Sequence, residues 1–106
     1  MELTKSAKKS LAILYKEYCQ RVKSGVCKAD ARRIRAGEYP EELLDDLKEL
    51  REAGAVKVDM GKNVDLENKT IIYMENLPAD TIKGWLSFLQ IKSHSLHFLF
   101  RIAVRV

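Results

Sequence analysis

The sequence predicts an α+β fold, mostly helical, and three observations carry that prediction. Residues 40–58, PEELLDDLKELREAGAVKV, place Leu43, Leu44, Leu47 and Leu50 at three- and four-residue intervals, which gives a helix one apolar face. Gly54 then supplies the left-handed position that ends a helix cheaply, and Ala55-Val56-Lys57-Val58 alternates as a strand does. A second stripe, Ala7, Leu11, Leu14, Tyr15, Tyr18 and Val22, marks a first helix over residues 6–23.

Each element has a local reason. Gly25 stops the first helix. Residues 28–36 predict a short second helix with Ala29, Ala31 and Ile34 inward and Gly37 closing it; Cys27 is a poor cap, so this helix starts weakly. Tyr39-Pro40 forces an extended residue before the third helix, whose first turn suits Pro40 and places Glu41 and Glu42 at the positive end of the dipole. Met60-Gly61-Lys62-Asn63 has turn chemistry, so residues 64–66 can pair back as a hairpin. Residues 68–76 are open: Thr70-Ile71-Ile72-Tyr73 has strand propensity, but Asp65 or Asn68 can cap a helix covering Tyr73, Met74 and Leu77. Pro78 breaks the chain, and Asp80 can cap a last helix through Ile82, Trp85, Leu86 and Leu89.

Helix, glycine stop, short strand and turn is how the third helix of a winged helix-turn-helix domain runs into its wing. The expected architecture is therefore a winged helix-turn-helix with a short β-hairpin wing and a C-terminal helix. In DNA-binding domains of this kind the third helix faces the major groove. Here its expected exposed positions are Glu41, Glu42, Asp45, Asp46, Glu49 and Glu52, against Lys48 and Arg51. Residues 93–106 form a hydrophobic extension in which Phe98, Phe100, Ile102, Val104 and Val106 alternate with other residues. That period-two strand cannot stand alone: it joins the wing sheet, pairs with another copy, or stays without fixed structure.

At 106 residues, 46% hydrophobic and 32% charged, the chain reads as one soluble globular domain. Cys19 and Cys27, eight apart, form neither a CxxC motif nor a zinc knuckle and read as reduced thiols. The apolar run at residues 11–15 is too short for a signal peptide, and no window approaches the ~20 apolar residues of a membrane helix, so a cytoplasmic location and no membrane partner are expected. The net charge of +4 hides a segregation. Residues 1–35 carry ten bases and three acids, residues 36–80 twelve acids and five bases, and residues 81–106 four bases and no acid. Such a pattern concerns partners and steering rather than folding.

Two stretches, ILYKEYCQRVKSGVCKADARR and VDLENKTIIYMEN followed by IKGWLSFLQ, resemble small uncharacterised winged-helix proteins of Gram-positive bacteria and their phages, of the YjcQ type. With residues 40–58 the resemblance covers most of residues 7–91, and it rests on hydrophobic spacings rather than chemical signatures. It implies a winged-helix fold and favours helix for residues 68–76. The chain departs from the pattern at Glu67, where a threonine cap is usual, at Thr70, where glycine is usual, at Pro78, which interrupts a continuous helix, and in the strand after Ser93.

Catalysis finds little support. His94 and His97 have no Asp or Glu nearby in sequence to orient them, the cysteine spacings are irregular for a metal, and the five glycines form no phosphate-cradling cluster. No enzyme activity, metal, cofactor or small-molecule substrate is expected. DNA is the sharpest candidate partner, met by Lys28, Arg32, Arg33 and Arg35 on phosphates, with help from Lys5, Lys8 and Lys9 and from Lys57 and Lys62 of the wing. The bland reading pairs Arg32, Arg33 and Arg35 with the neighbouring acidic helix. A regulator touching nucleic acid by its basic face is the first expectation. The competing one is a protein-interaction or assembly module, a homodimer included, with Phe98, Phe100, Ile102 and Val104 at the interface. A weaker third reading, an acidic mimic of DNA, conflicts with the overall basic charge.

Overall fold

The structure, a computed structural model, describes residues 2–87. Helix α1 spans Lys5–Lys23, and its register buries Ala7, Leu11, Leu14 and Tyr18. Thr4 caps it, its Oγ1 accepting from the Ala7 N–H at 3.2 Å. Gly25, at φ +102°, ends it: the Gly25 and Val26 N–H groups donate back to the Val22 and Arg21 carbonyls at 3.1 and 2.9 Å. This is the bonding that a left-handed stop provides.

The second helix is much shorter than expected. Helix α2 covers only Lys28–Ala31, and the chain then turns into a strand, β1, Arg33–Ile34. Cys27 caps α2 without a side-chain bond; its thiol donates instead to Asp30 at 3.2 Å. Ile34 is buried as expected, but from a strand, and Ala29 is exposed rather than inward. The reason is tertiary. A β-branched residue gains more here by pairing with the hairpin than by extending a weakly capped helix.

The third helix forms in two parts, a 3₁₀ segment Glu41–Asp46 and helix α3, Leu47–Glu52. Leu43, Leu47 and Leu50 are buried, whereas Leu44 is 43% exposed. Gly54, at φ +74°, stops α3: its N–H donates to the Arg51 carbonyl at 3.0 Å and the Ala55 N–H to that of Leu50 at 2.9 Å. Leu50 and Ala55 are both fully buried, the apolar contact that accompanies such a stop.

Strands β2 (Val56–Val58) and β3 (Val64–Leu66) follow. The three strands form one antiparallel sheet in the order β1-β3-β2. Val56 faces Leu66, Lys57 faces Asp65 and Val58 faces Val64, while Arg33 faces Asp65 and Ile34 faces Val64. Alternation buries Val56, Val64, Leu66 and Ile34 and turns Lys57, Asp65 and Arg33 outward as one charged row.

Residues 68–76 resolve as helix α4, Asn68–Glu75, with Glu67 at its N-cap and no side-chain cap bond. Thr70 is fully buried and its hydroxyl donates to the Ala55 carbonyl at 2.7 Å, tying α4 to the end of α3. Pro78, not Asp80, is the N-cap of helix α5, Ala79–Leu86; Asp80 sits in its first turn. Helix α5 packs along α1 through Trp85, with Ile82 and Leu86 beside it. Leu89, His94, His97 and the expected strand with Phe98, Phe100, Ile102 and Val104 lie outside the described residues.

The third helix is fixed to α1 by polar bonds. Asp46, 6% exposed, accepts from the Ser6 hydroxyl at 2.8 and 2.9 Å and from the Ser10 hydroxyl at 2.5 Å. Glu49 accepts from the Thr4 N–H at 2.7 Å and the Thr4 hydroxyl at 2.8 Å. Both carboxylates thereby lie at the positive end of α1. Replacing Asp46 with Ala strands the buried Ser10 hydroxyl and removes bonds to a charged acceptor. The D46A variant is expected to lose on the order of 2–3 kcal/mol in urea unfolding, and a loss under about 0.5 kcal/mol would contradict the role assigned to this pin.

Candidate nucleic-acid interface

Two of the six acids expected on the exposed face of the third helix are not available there. Asp46 is buried and Glu49 is bonded to Thr4. Asp45 is likewise engaged. Turning Asp46 inward fixes the rotation of the whole helix. Leu44, Lys48 and Arg51, spaced by four and three residues, then share one stripe on the side toward the β2–β3 hairpin. There they line a depression of about 240 Å³ with Leu47, Val58 and Lys62.

That depression continues along the molecule. Arg51 and Val58 also border a neighbouring hollow formed with Gly54, Val56, Lys57, Glu67 and Lys69. Lys57, Glu67 and Lys69 in turn border one formed with Ala29, Arg32, Asp65, Leu66 and Asn68. Ala29, Arg32 and Asn68 lead to the last, which adds Tyr18, Lys28, Ile71, Ile72 and Glu75. One surface track therefore runs from the third helix, past the outer face of the sheet, to α2. Its bases are Lys48, Arg51, Lys62, Lys57, Lys69, Arg32 and Lys28; its acids are Asp65, Glu67 and Glu75. Two of those acids already have cations, Asp65 the Arg33 guanidinium at 2.9 Å and Glu67 the Lys57 ammonium at 3.7 Å.

Comparison of the chain with protein families, with curated proteins and with solved structures finds no match.

The residues expected to meet phosphate divide into three groups. Lys28, Arg32, Lys57 and Lys62 lie on the track. Arg32 is steadied by a 2.7 Å bond from its Nη1 to the Asn68 side-chain oxygen. Arg33 and Arg35 lie by the hairpin in different roles. Arg33 clamps Asp59 and Asp65, both at 2.9 Å. Arg35 is exposed, and its N–H donates to Glu38 at 2.8 Å. That bond, reinforced by the charge of Arg21, holds the Glu38 carboxyl below its usual range. The ion pairs of Arg33 are thus with the hairpin and not with the third helix. Lys5, Lys8 and Lys9 form the third group, on α1. Lys8 sits over the Trp85 ring with 5.7 Å to its centroid, and Lys5 and Lys9 are engaged.

Lys48, Arg51 and Lys69 were absent from the expected set. For the first two the signal was present: counted around the helix rather than along the chain, Lys48 and Arg51 fall on the stripe of Leu44, with Glu41 and Glu52 along its edge. Nothing local in the sequence marks Lys69, which α4 brings beside Gly54. Among the described residues no group of three or more His, Cys, Asp or Glu gathers to hold a metal ion, and no helix is long and apolar enough to cross a membrane.

The hairpin end of the track is rigidly built. The Asp59 carboxylate accepts from the Asn63 N–H at 2.9 Å, the Asn63 side-chain amide at 3.0 Å and Arg33 at 2.9 Å. The Asn63 bonds chiefly, then Arg33, hold its pKa below the usual Asp value. A carboxyl lowered on folding contributes stability that is complete above its unfolded pKa and lost as pH falls through the lowered folded one. The Asn63 side-chain amide resonances are therefore expected to keep their folded positions from neutral pH down to about pH 4 and to collapse only below it. Collapse well above that range would contradict the clamp.

Proposed function

We propose that this chain is a non-catalytic winged-helix domain that binds duplex nucleic acid along its basic track, as a small regulator of bacterial or phage type would. The α1, β1, third-helix, hairpin order and the β1-β3-β2 sheet support the winged-helix reading, with the hairpin as the wing. The observation that carries the functional reading is the rotation of the third helix. Asp46 and Glu49 are spent on α1, and Lys48 and Arg51 are turned toward wing residue Lys62.

The chemistry suits phosphates better than base edges. The track bears four lysines besides Lys28, and its two arginines, Arg32 and Arg51, stand apart at its α2 and α3 ends. Phosphate contacts position a duplex but carry no sequence information directly. Glu41, Glu42 and Glu52 remain exposed on the third helix and oppose deep entry into a groove. Binding is thus mainly electrostatic. Single strands fit less well, because among the described residues Tyr18 is the sole aromatic lining the track and is 4% exposed, too buried to stack a base.

Contacts from Lys28, Arg32, Lys48, Arg51 and Lys62 to about five phosphates give a slope of about −4.5 in log affinity against log salt, or roughly 500-fold weaker binding from 50 to 200 mM salt. Fluorescence anisotropy on labelled duplexes of different sequence is expected to show that steep loss with little sequence dependence. The K48A/R51A variant should reduce the slope by about two and K16A should leave it unchanged. No binding at low salt would refute the reading. A self-association that responds to K48A/R51A without DNA would favour the assembly module instead.

A further inference from the structure

We infer that the hollow between α2 and α4 is a binding site for a short peptide with free termini, whose occupant takes Arg32 and Lys28 away from a bound duplex; the competition rests on the duplex reading above. The hollow measures about 430 Å³, within the range of small-ligand pockets. It forms the α2 end of the basic track, yet its charges are laid out differently. Glu75 is the one acid of the track that has no ion pair among the described residues.

The two ends of the hollow carry opposite charge. At one end Lys28 and Arg32 are also without ion pairs among the described residues. The Arg32 guanidinium spends one N–H on the Asn68 side-chain oxygen, at 2.7 Å, and keeps its others. Asn68, Ile71, Ile72 and Glu75 line the hollow from one face of α4. Glu75 is the last residue of that helix and is exposed, where the helix dipole disfavours an acid. It repels a phosphate backbone and attracts an ammonium group, while Arg32 attracts a carboxylate. Between the two ends the lining is apolar. Ile71 and Tyr18 are buried, whereas Ile72, at 57% exposed, is open to solvent. The Tyr18 phenol pKa is raised by burial, then by Glu75 and Cys19, with Arg32 opposing. Its ring thus lies within reach of both charged ends.

Length selects the occupant. Asn68 and Glu75 stand seven residues apart on α4, a rise of about 10.5 Å. The amino and carboxyl groups of a single amino acid share one carbon and cannot reach both ends. An extended chain spans about 3.3–3.6 Å per residue, so roughly two or three residues set an ammonium at Glu75 and a carboxylate at Arg32. An apolar side chain between them then covers Ile72. Capture of chain termini by fixed charges is an established way to bind peptides without reading a long sequence.

Calorimetric titration of the full chain with alanyl-leucyl-alanine tests the site, beside the same tripeptide acetylated at its amine or amidated at its carboxyl, and beside leucine alone. The free tripeptide is expected to bind at least about ten-fold tighter than each of the other three, the worth of one charge-assisted bond. E75Q should bind the free and acetylated forms alike and still prefer the carboxylate to the amide. Saturating tripeptide should reduce the salt slope of duplex binding by about one to two, because Arg32 and Lys28 no longer meet phosphate. Equal binding of free and capped forms, or no binding at millimolar concentration, overturns the site and leaves duplex binding intact. Tripeptide binding that leaves the slope unchanged overturns the competition. No duplex binding at low salt overturns the competition together with the duplex reading, while the titration alone decides the site.

Discussion

The buried carboxylate of Asp46 is the constraint on which the rest of the arrangement depends. A charged group at 6% exposure is tolerable only when its acceptor sites are used, and here the Ser6 and Ser10 hydroxyls use them. The positive end of α1 adds to the attraction, and Glu49 repeats the device with Thr4 one turn later. Two carboxylates bonded to one helix end leave the third helix a single rotation about its axis. That rotation buries Leu43, Leu47 and Leu50 and turns Leu44, Lys48 and Arg51 toward the hairpin. Core packing and the charge of the surface are therefore set by the same few bonds.

The hairpin depends on a second polar centre. Arg33, on the two-residue strand β1, reaches both Asp59 at the base of the tip and Asp65 on β3. A two-stranded hairpin is marginal in water, and a third strand with a covered face gives it independent stability. Arg33 is on this account a structural cation. In the proposed duplex complex the phosphate-facing bases are instead Lys28 and Arg32 on one side of it and Lys48, Arg51 and Lys62 on the other. Exposed bases close in sequence have different uses here because β1 interrupts the helix on which they were expected to share a face.

Much of the fold was legible in the sequence, for identifiable reasons. The α1 stripe, the stops at Gly25 and Gly54, the hairpin of Val56–Val58 with Val64–Leu66 and the break at Pro78 all follow from local chemistry that tertiary contacts reinforce. The β1 strand was not legible, since Arg33 and Ile34 carry no strand signal until β3 offers them an edge. Residues 68–76 were ambiguous because β-branched residues also fill a helix buried on one side, and Thr70 is anchored by a distant carbonyl, that of Ala55. At the candidate site, Lys28, Arg32, Lys57 and Lys62 were visible as exposed bases. The fate of Asp46 and Glu49 was not, because both are bonded to residues about forty positions earlier and a count of acids along a helix says nothing of which way each one turns.

The central claim, a proposal, is that the bases of the third helix, the β2–β3 hairpin and α2 form one working surface, separate from the lysines of α1. Amide chemical-shift mapping on the full chain with a short duplex at low salt tests it most directly. The account predicts shifts concentrated at residues 28–32, 44–51, 57–62 and 67–69. Shifts confined to residues 5–16, or none at saturating duplex, would contradict it.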